Sequence, residues 1–213
     1  MLRLSRVMFL LLTGLAGVTV LAGGLLLYSA ARQEARKAAQ AAPLGRGVVA
    51  GSPAVGGPFA LVDHDGREVT DATYRGEYLL VFFGFANCPD VCPMALDRFA
   101  RVMELLGPDG ERVRPLLVSV DPERDTPAIL KGYVTSFHPR TVGLTGSAEQ
   151  VKAAAARYRV YFAKAETGGA ADYSVDHSAF EYLMGPDGRN LYIFTAAAEP
   201  ERIAELIRGA IRG

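Results

Sequence analysis

Tyr78–Phe85 (YLLVFFGF) is an almost unbroken apolar run, the pattern of a β-strand covered on both faces. A chain built round such a strand must place covering layers on each side of a sheet, and the segments that follow supply them. Met94–Leu106 sets Leu96, Phe99, Ala100, Met103 and Leu106 at helical spacing before Gly107-Pro108 stops it. Val113–Val120 is a second buried strand, and Thr126–Phe137 and Ala148–Tyr158 read as helices. Val160–Ala163 reads as extended chain. Two hairpins flank this centre. Phe59–Asp63 and Arg67–Thr70 are joined across His64-Asp65-Gly66; Ser178–Met184 and Asn190–Phe194 are joined across Gly185-Pro186-Asp187-Gly188. Pro200–Ile211 closes the chain as a helix with Ile203, Leu206, Ile207 and Ala210 on its apolar face.

Strand, helix, strand, helix, an antiparallel pair and a last helix describe an α/β domain: a thioredoxin-like sandwich with an inserted hairpin. The sequence predicts one transmembrane helix before it. Val7–Ala31 carries no charge over 25 residues, more than the ~20 that span a bilayer core. A cleaved signal peptide has an apolar region of only ~7–15 residues, so the stretch reads as an uncleaved anchor, although Ser29-Ala30-Ala31 would suit cleavage. The expected division is therefore an anchor at 1–32, a flexible Ala-, Gly- and Pro-rich linker at 33–58, and the folded domain at 59–213.

Charge follows the same division. The 213 residues hold 23 basic and 23 acidic side chains. Residues 1–58 carry six bases (Arg3, Arg6, Arg32, Arg36, Lys37, Arg46) and one acid (Glu34), a net of +5, which leaves 17 bases and 22 acids, a net of −5, for 59–213. An acidic domain is unsuited to nucleic acid, whose phosphates demand excess Lys and Arg. Bases stand on both sides of the apolar stretch and do not fix its orientation. With 50% hydrophobic residues and 2 Cys, the chain is neither disordered nor a disulfide scaffold.

Both cysteines fall in Cys88-Pro89-Asp90-Val91-Cys92-Pro93, after the Tyr78–Phe85 strand and at the start of a helix. Spacing i, i+4 there puts two sulfurs on one side of the first turn, near free backbone N–H groups that favour thiolate. Pro93 suits an opening turn, and Asp90 is placed to cap it. Such a pair can form a disulfide, attack one, or hold a soft metal. Inert thiols do not explain two Cys-Pro turns, and a disulfide closing so short a loop adds little stability. Three residues separate the cysteines, where the thioredoxin signature has two, which weakens the case for a general disulfide oxidoreductase.

Three histidines remain. His64 lies in a turn beside Asp63 and Asp65, and His138 precedes Pro139; both read as solvated surface residues. His177, in Val175-Asp176-His177-Ser178, stands at the entry to the second hairpin, with Asp176 placed to hold the imidazole tautomer. With the two thiols it completes a sulfur, sulfur, nitrogen set, soft enough for Cu(I) and acceptable to Cu(II). Structural zinc would want a fourth protein ligand, and the sequence offers none.

These stretches resemble the Sco/SenC copper-chaperone proteins of cytochrome c oxidase assembly. Carrying the resemblance are Gly84-Phe85 with CPDVCP, SVDPERDTP (Ser119–Pro127), VGLTG (Val142–Gly146), YRVYF (Tyr158–Phe162) and VDHSAFEYLMGPDG (Val175–Gly188). It implies a single-pass protein that binds one copper ion through Cys88, Cys92 and His177. It implies delivery to the dinuclear copper site of the oxidase, with the oxidase copper-site subunit as partner and a copper donor chaperone upstream. The domain would face the periplasm from the inner membrane or, in a eukaryote, the intermembrane space from the mitochondrial inner membrane. Asp121 matches a position linked in the family to the site or its partner contact; the plainer reading is a loop cap before Pro122. Ala86-Asn87 departs from the Thr-His of many relatives and removes a nearby imidazole. The chain reads as a carrier rather than an enzyme. The alternative is a thiol-disulfide reductase using the redox pair Cys88 and Cys92 to maintain the oxidase's own cysteines. A peroxidase lacks its Thr-x-x-Cys pattern here.

Overall fold

The structure, a computed structural model, describes residues 28–29, 44–169 and 172–213. The membrane segment expected over Val7–Ala31 thus lies outside the described residues, apart from Tyr28 and Ser29. Among the described residues no helix is long and apolar enough to cross a membrane.

Residues 44–213 form one compact unit on an eight-stranded sheet. Its strands are β1 (Val48–Ala50), β2 (Ala60–Asp63), β3 (Glu68–Thr70), β4 (Tyr78–Gly84), β5 (Val113–Ser119), β6 (Val142–Thr145), β9 (Glu181–Met184) and β10 (Asn190–Phe194). A separate two-stranded sheet pairs β7 (Phe162–Gly169) with β8 (Asp172–His177). The helices are α1 (Val91–Leu106), α2 (Pro127–Thr135), α3 (Ala148–Arg157) and α4 (Pro200–Arg212). The large sheet runs β1-β10-β9-β4-β5-β6-β2-β3. β4, β5 and β6 are parallel, and the outer neighbours are antiparallel. This is the thioredoxin-like α/β arrangement expected.

All seven residues of β4 are buried, as the apolar run requires. Its faces alternate: a side chain at Gly84 would strike Cys92 on α1, whereas the Phe83 ring packs 5.1 Å from Tyr158, just after α3. α1 turns Cys92, Ala95, Leu96, Phe99, Val102, Met103 and Leu106 into the core and packs beside α4. Large buried side chains of this kind are worth ~1.5–3 kcal/mol each. In the first hairpin one Asp63 oxygen accepts from the N–H groups of Asp65 and Arg67, both at 2.9 Å, and Gly66 takes the turn's positive φ of +81°.

Four features depart from the sequence reading. Val48–Ala50, assigned to a flexible linker, forms an edge strand paired with β10; main-chain pairing orders a segment that has no apolar periodicity. α1 begins at Val91 rather than Met94, so Cys92 is inside the helix. β6 was not expected, since its four residues are too few to carry a pattern. The extended segment expected at Val160–Ala163 is the root of a longer strand, β7, whose partner β8 follows a Gly- and Ala-rich stretch that conceals the hairpin.

Candidate metal centre

β4 and β5 are parallel and in register from Tyr78↔Val113 to Gly84↔Ser119, so the loops leaving their carboxyl ends emerge side by side. Open α/β sheets build their sites in such a place. The first loop carries Cys88, half-buried; its turn is closed by the Cys88 N–H donating to the Phe85 carbonyl at 3.3 Å. Cys92 follows in the opening turn of α1, with no exposure to solvent. Neither cysteine is in a disulfide. Asp90 occupies the N-cap position, but its side chain makes no capping hydrogen bond, contrary to expectation.

His177, the last residue of β8, completes the group. One donor atom from each of Cys88, Cys92 and His177 lies within 4.8 Å of the other two. Cys92 Sγ is 3.5 Å from His177 Nε2, and the ring sits edgewise between Phe82 and Phe85, each 5.8 Å away between centroids. His177 Nδ1 is 3.2 Å from the Ser178 carbonyl. A carbonyl only accepts, so this contact places the ring proton on Nδ1 and leaves the Nε2 lone pair facing the sulfurs.

The partner that orients His177 is thus the Ser178 carbonyl and not Asp176, whose side chain is exposed; the Asp176 charge reaches the imidazole only through space. Burial holds the imidazole below its ordinary 6.5, against the raising effects of the Ser178 carbonyl, Asp176 and the Phe83 carbonyl. Burial also pushes the Cys92 thiol well up, and the neighbouring Cys88 adds to the rise. This corrects the expectation that the helix start favours thiolate: loss of water at Cys92 outweighs it. A metal must therefore displace a proton from Cys92.

The other histidines stand apart and have structural partners. His64 Nδ1 accepts from the Gly143 N–H at 3.1 Å, and His138 Nδ1 accepts from the Arg140 N–H at 3.2 Å. Both are half-buried rather than fully solvated.

Asp121 is buried but outside the group that could hold a metal. Its carboxylate accepts from the Tyr173 hydroxyl at 2.7 Å and from Arg124 Nε. The sequence reading missed a second acid of the same stretch. Asp125, also buried, accepts from the Ser119 hydroxyl at 2.6 Å and takes the Ala86 N–H on its two oxygens at 3.1 and 3.3 Å. It fixes the chain two residues before Cys88. Burial raises its carboxyl above the usual range, opposed by those hydrogen bonds. Because the anchored group at 86 is backbone, replacement of a family Thr by Ala leaves this attachment intact. The signal for Asp125 was present in the second Asp of DPERD, but nothing local distinguishes the two acids.

Known proteins are similar to this chain in sequence and fold. Protein SCO2 homolog, mitochondrial, of Bos taurus is 44% identical over 154 residues, which cover 71% of this chain and 58% of that protein. The chain thus spans little more than half the length of this mitochondrial relative. The structure of Bradyrhizobium japonicum ScoI with copper bound is 42% identical with a TM-score of 0.69, covering 74% of this chain and 99% of that one. BsSco, a member of the Sco family of cytochrome c oxidase assembly proteins in which a disulfide switch is identified, is 25% identical with a TM-score of 0.57, covering 76% and 94%. The family model described as SCO1/SenC matches residues 48–212, from the first residue of β1 to the last of α4, and the chain belongs to that family.

Proposed function

We propose that this protein is a copper carrier of cytochrome c oxidase assembly, which binds one copper ion through Cys88 Sγ, Cys92 Sγ and His177 Nε2 and delivers it to the dinuclear copper site of the oxidase. The convergence of the three donor atoms within 4.8 Å carries this reading, since two sulfurs and a nitrogen form a soft set that suits copper. Relatives with copper bound in the same fold support it. Cys88 and His177 are half-buried and Cys92 is fully buried, so a partner's ligands approach from the Cys88 and His177 side while Cys92 holds the ion longest. The oxidase copper-site subunit is the acceptor in this reading, and a donor chaperone loads the site. The apolar segment Val7–Ala31 would tether the domain to the inner membrane on its periplasmic side, or to the mitochondrial inner membrane on its intermembrane side.

Copper titration of the reduced chain tests the proposal. One ion per chain is expected, with retention reduced in His177→Ala and abolished in Cys88→Ser/Cys92→Ser. Absence of stoichiometric binding, or unchanged binding in His177→Ala, would sink it. The reductase alternative requires both thiols but not the imidazole, so equal loss of oxidase assembly in Cys88→Ala and His177→Ala favours copper delivery.

A further inference from the structure

The cysteine loop and the histidine strand belong to different parts of the fold, and one loop touches both. Ser119–Asp125 leaves the carboxyl end of β5. At one end, Asp125 holds the Ala86 N–H, two residues before Cys88. At the other, Asp121 accepts from the Tyr173 hydroxyl at 2.7 Å, and Arg124 Nη1 donates to the Tyr173 carbonyl at 2.9 Å. The Arg124 guanidinium also lies over the Tyr173 ring at 3.8 Å and 5.8 Å from the centre of Phe85, one of the two rings that flank His177. Asp121 accepts from Arg124 Nε as well, which fixes the guanidinium's orientation.

On β8, Tyr173, Val175 and His177 alternate with Ser174 and Asp176, so they share one face. Val175 on that face is buried and Asp176 opposite is exposed. Four residue steps along the strand separate Tyr173 from His177, about 13 Å. Register is fixed along a strand, so a clasp on Tyr173 sets where the imidazole sits.

We propose that Tyr173 and Arg124, clamped on Asp121, form a positioning clasp that aligns His177 with Cys88 and Cys92 for copper. None of the three is a ligand. The inference rests on the copper reading above and adds residues that act through His177 rather than on the ion.

Tyr173→Phe removes one hydroxyl and leaves the ring beneath Arg124. In the copper-loaded full chain we expect retention against a competing chelator to fall several-fold, less than the roughly ten-fold or more that follows loss of a partner bonded to the ligand itself. The sulfur-to-copper absorption should persist, while the nitrogen coupling in the Cu(II) electron paramagnetic resonance spectrum weakens. In a His177→Ala background the same substitution should change nothing further. Equal weakening in both backgrounds, or unchanged retention and spectra in Tyr173→Phe, would overturn the clasp. Arg124→Lys, which keeps the cation but loses the planar fork, is read by the same outcomes should Tyr173→Phe fail to fold. A wild-type chain that binds no copper would defeat the copper reading alone. The clasp would then rest on the metal-free His177 ring nitrogens, whose magnetic resonance signals should shift from a single Nδ1–H form to a mixture in Tyr173→Phe; unchanged signals would overturn it.

Discussion

At position 84 there is no room for a side chain. A Cβ there would lie 2.7 Å from Cys92 Sγ and 2.8 Å from the Phe82 ring, so a methyl group must displace either the Cys92 sulfur or one of the rings beside His177. Gly84→Ala should cost ~1–3 kcal/mol, the usual range for overpacking, and should weaken copper retention as well; thermal unfolding and a chelator competition measure the two effects. Cys92 supplies a second expectation. Its thiol is held protonated by burial and by Cys88, whereas burial keeps His177 neutral to below its ordinary 6.5. Copper uptake between pH 6.5 and 8 must then expel a thiol proton but no imidazole proton. Affinity should rise by about ten-fold or more per pH unit across that interval, and competition titrations at stepped pH would show it. The Cys-x-x-x-Cys spacing disclosed which atoms matter. It did not disclose that one sulfur is dry, because water exclusion at Cys92 comes from β4 and α1 packing together.

Among the elements, β9 contains a residue that a buried strand rarely accepts. Glu181 is 1% exposed; one carboxylate oxygen accepts from Arg98 Nε of α1 at 2.9 Å and the other is buried without a hydrogen-bond partner. Burial raises its carboxyl to about 7, with Arg98 opposing the rise. Between the unfolded value of 4.5 and about 7 the folded chain holds a proton that the unfolded chain has released. This contribution to stability is complete below 4.5 and is lost as the pH rises through about 7. Glu181→Gln should remove that slope from a plot of unfolding free energy against pH. Arg98→Ala removes the cation that opposes the rise, so the Glu181 carboxyl should titrate still higher and stay protonated at neutral pH. The cost is then the lost hydrogen bonds to Glu181, Ala196 and Ala198, ~0.5–1.5 kcal/mol each, read by denaturant unfolding. The elements themselves were legible where a local pattern existed. The apolar run gave β4, the i, i+3, i+4 spacing gave the body of α1 and α4 up to its last residue, and the Asp-Gly turns gave two hairpins. β6 is too short for periodicity, and β7 with β8 is joined through glycines and alanines that carry none. The strand presenting His177 was thus legible only as an extended approach to the second hairpin, and its pairing with β7 was not legible.

For the whole molecule, the boundary between linker and domain matters most. Val48–Ala50 pairs with β10, the Gly51 N–H donates to the Leu191 carbonyl at 2.8 Å, the Thr195 N–H donates to the Gly47 carbonyl at 2.9 Å, and Arg202 Nε donates to the Leu44 carbonyl at 3.0 Å. Deleting residues 1–58 removes all of these, whereas deleting residues 1–43 keeps them. At ~0.5–1.5 kcal/mol net for each hydrogen bond, the shorter fragment should be less stable by a few kcal/mol; equal melting temperatures would return Leu44–Pro58 to the linker. The sequence by itself determined which donor types a centre could use and the class of fold, because residue type, spacing and periodicity are local properties. It named Cys88, Cys92 and His177, and its motifs pointed to the family. Only the tertiary structure decided that Cys92 and His177, 85 positions apart, lie 3.5 Å from each other, that Ser178 rather than Asp176 orients the ring, and that the Ser119–Asp125 loop ties both halves of the site together. Those facts depend on the order of strands in the sheet and on which groups packing removes from water, and neither is written in any short stretch of sequence.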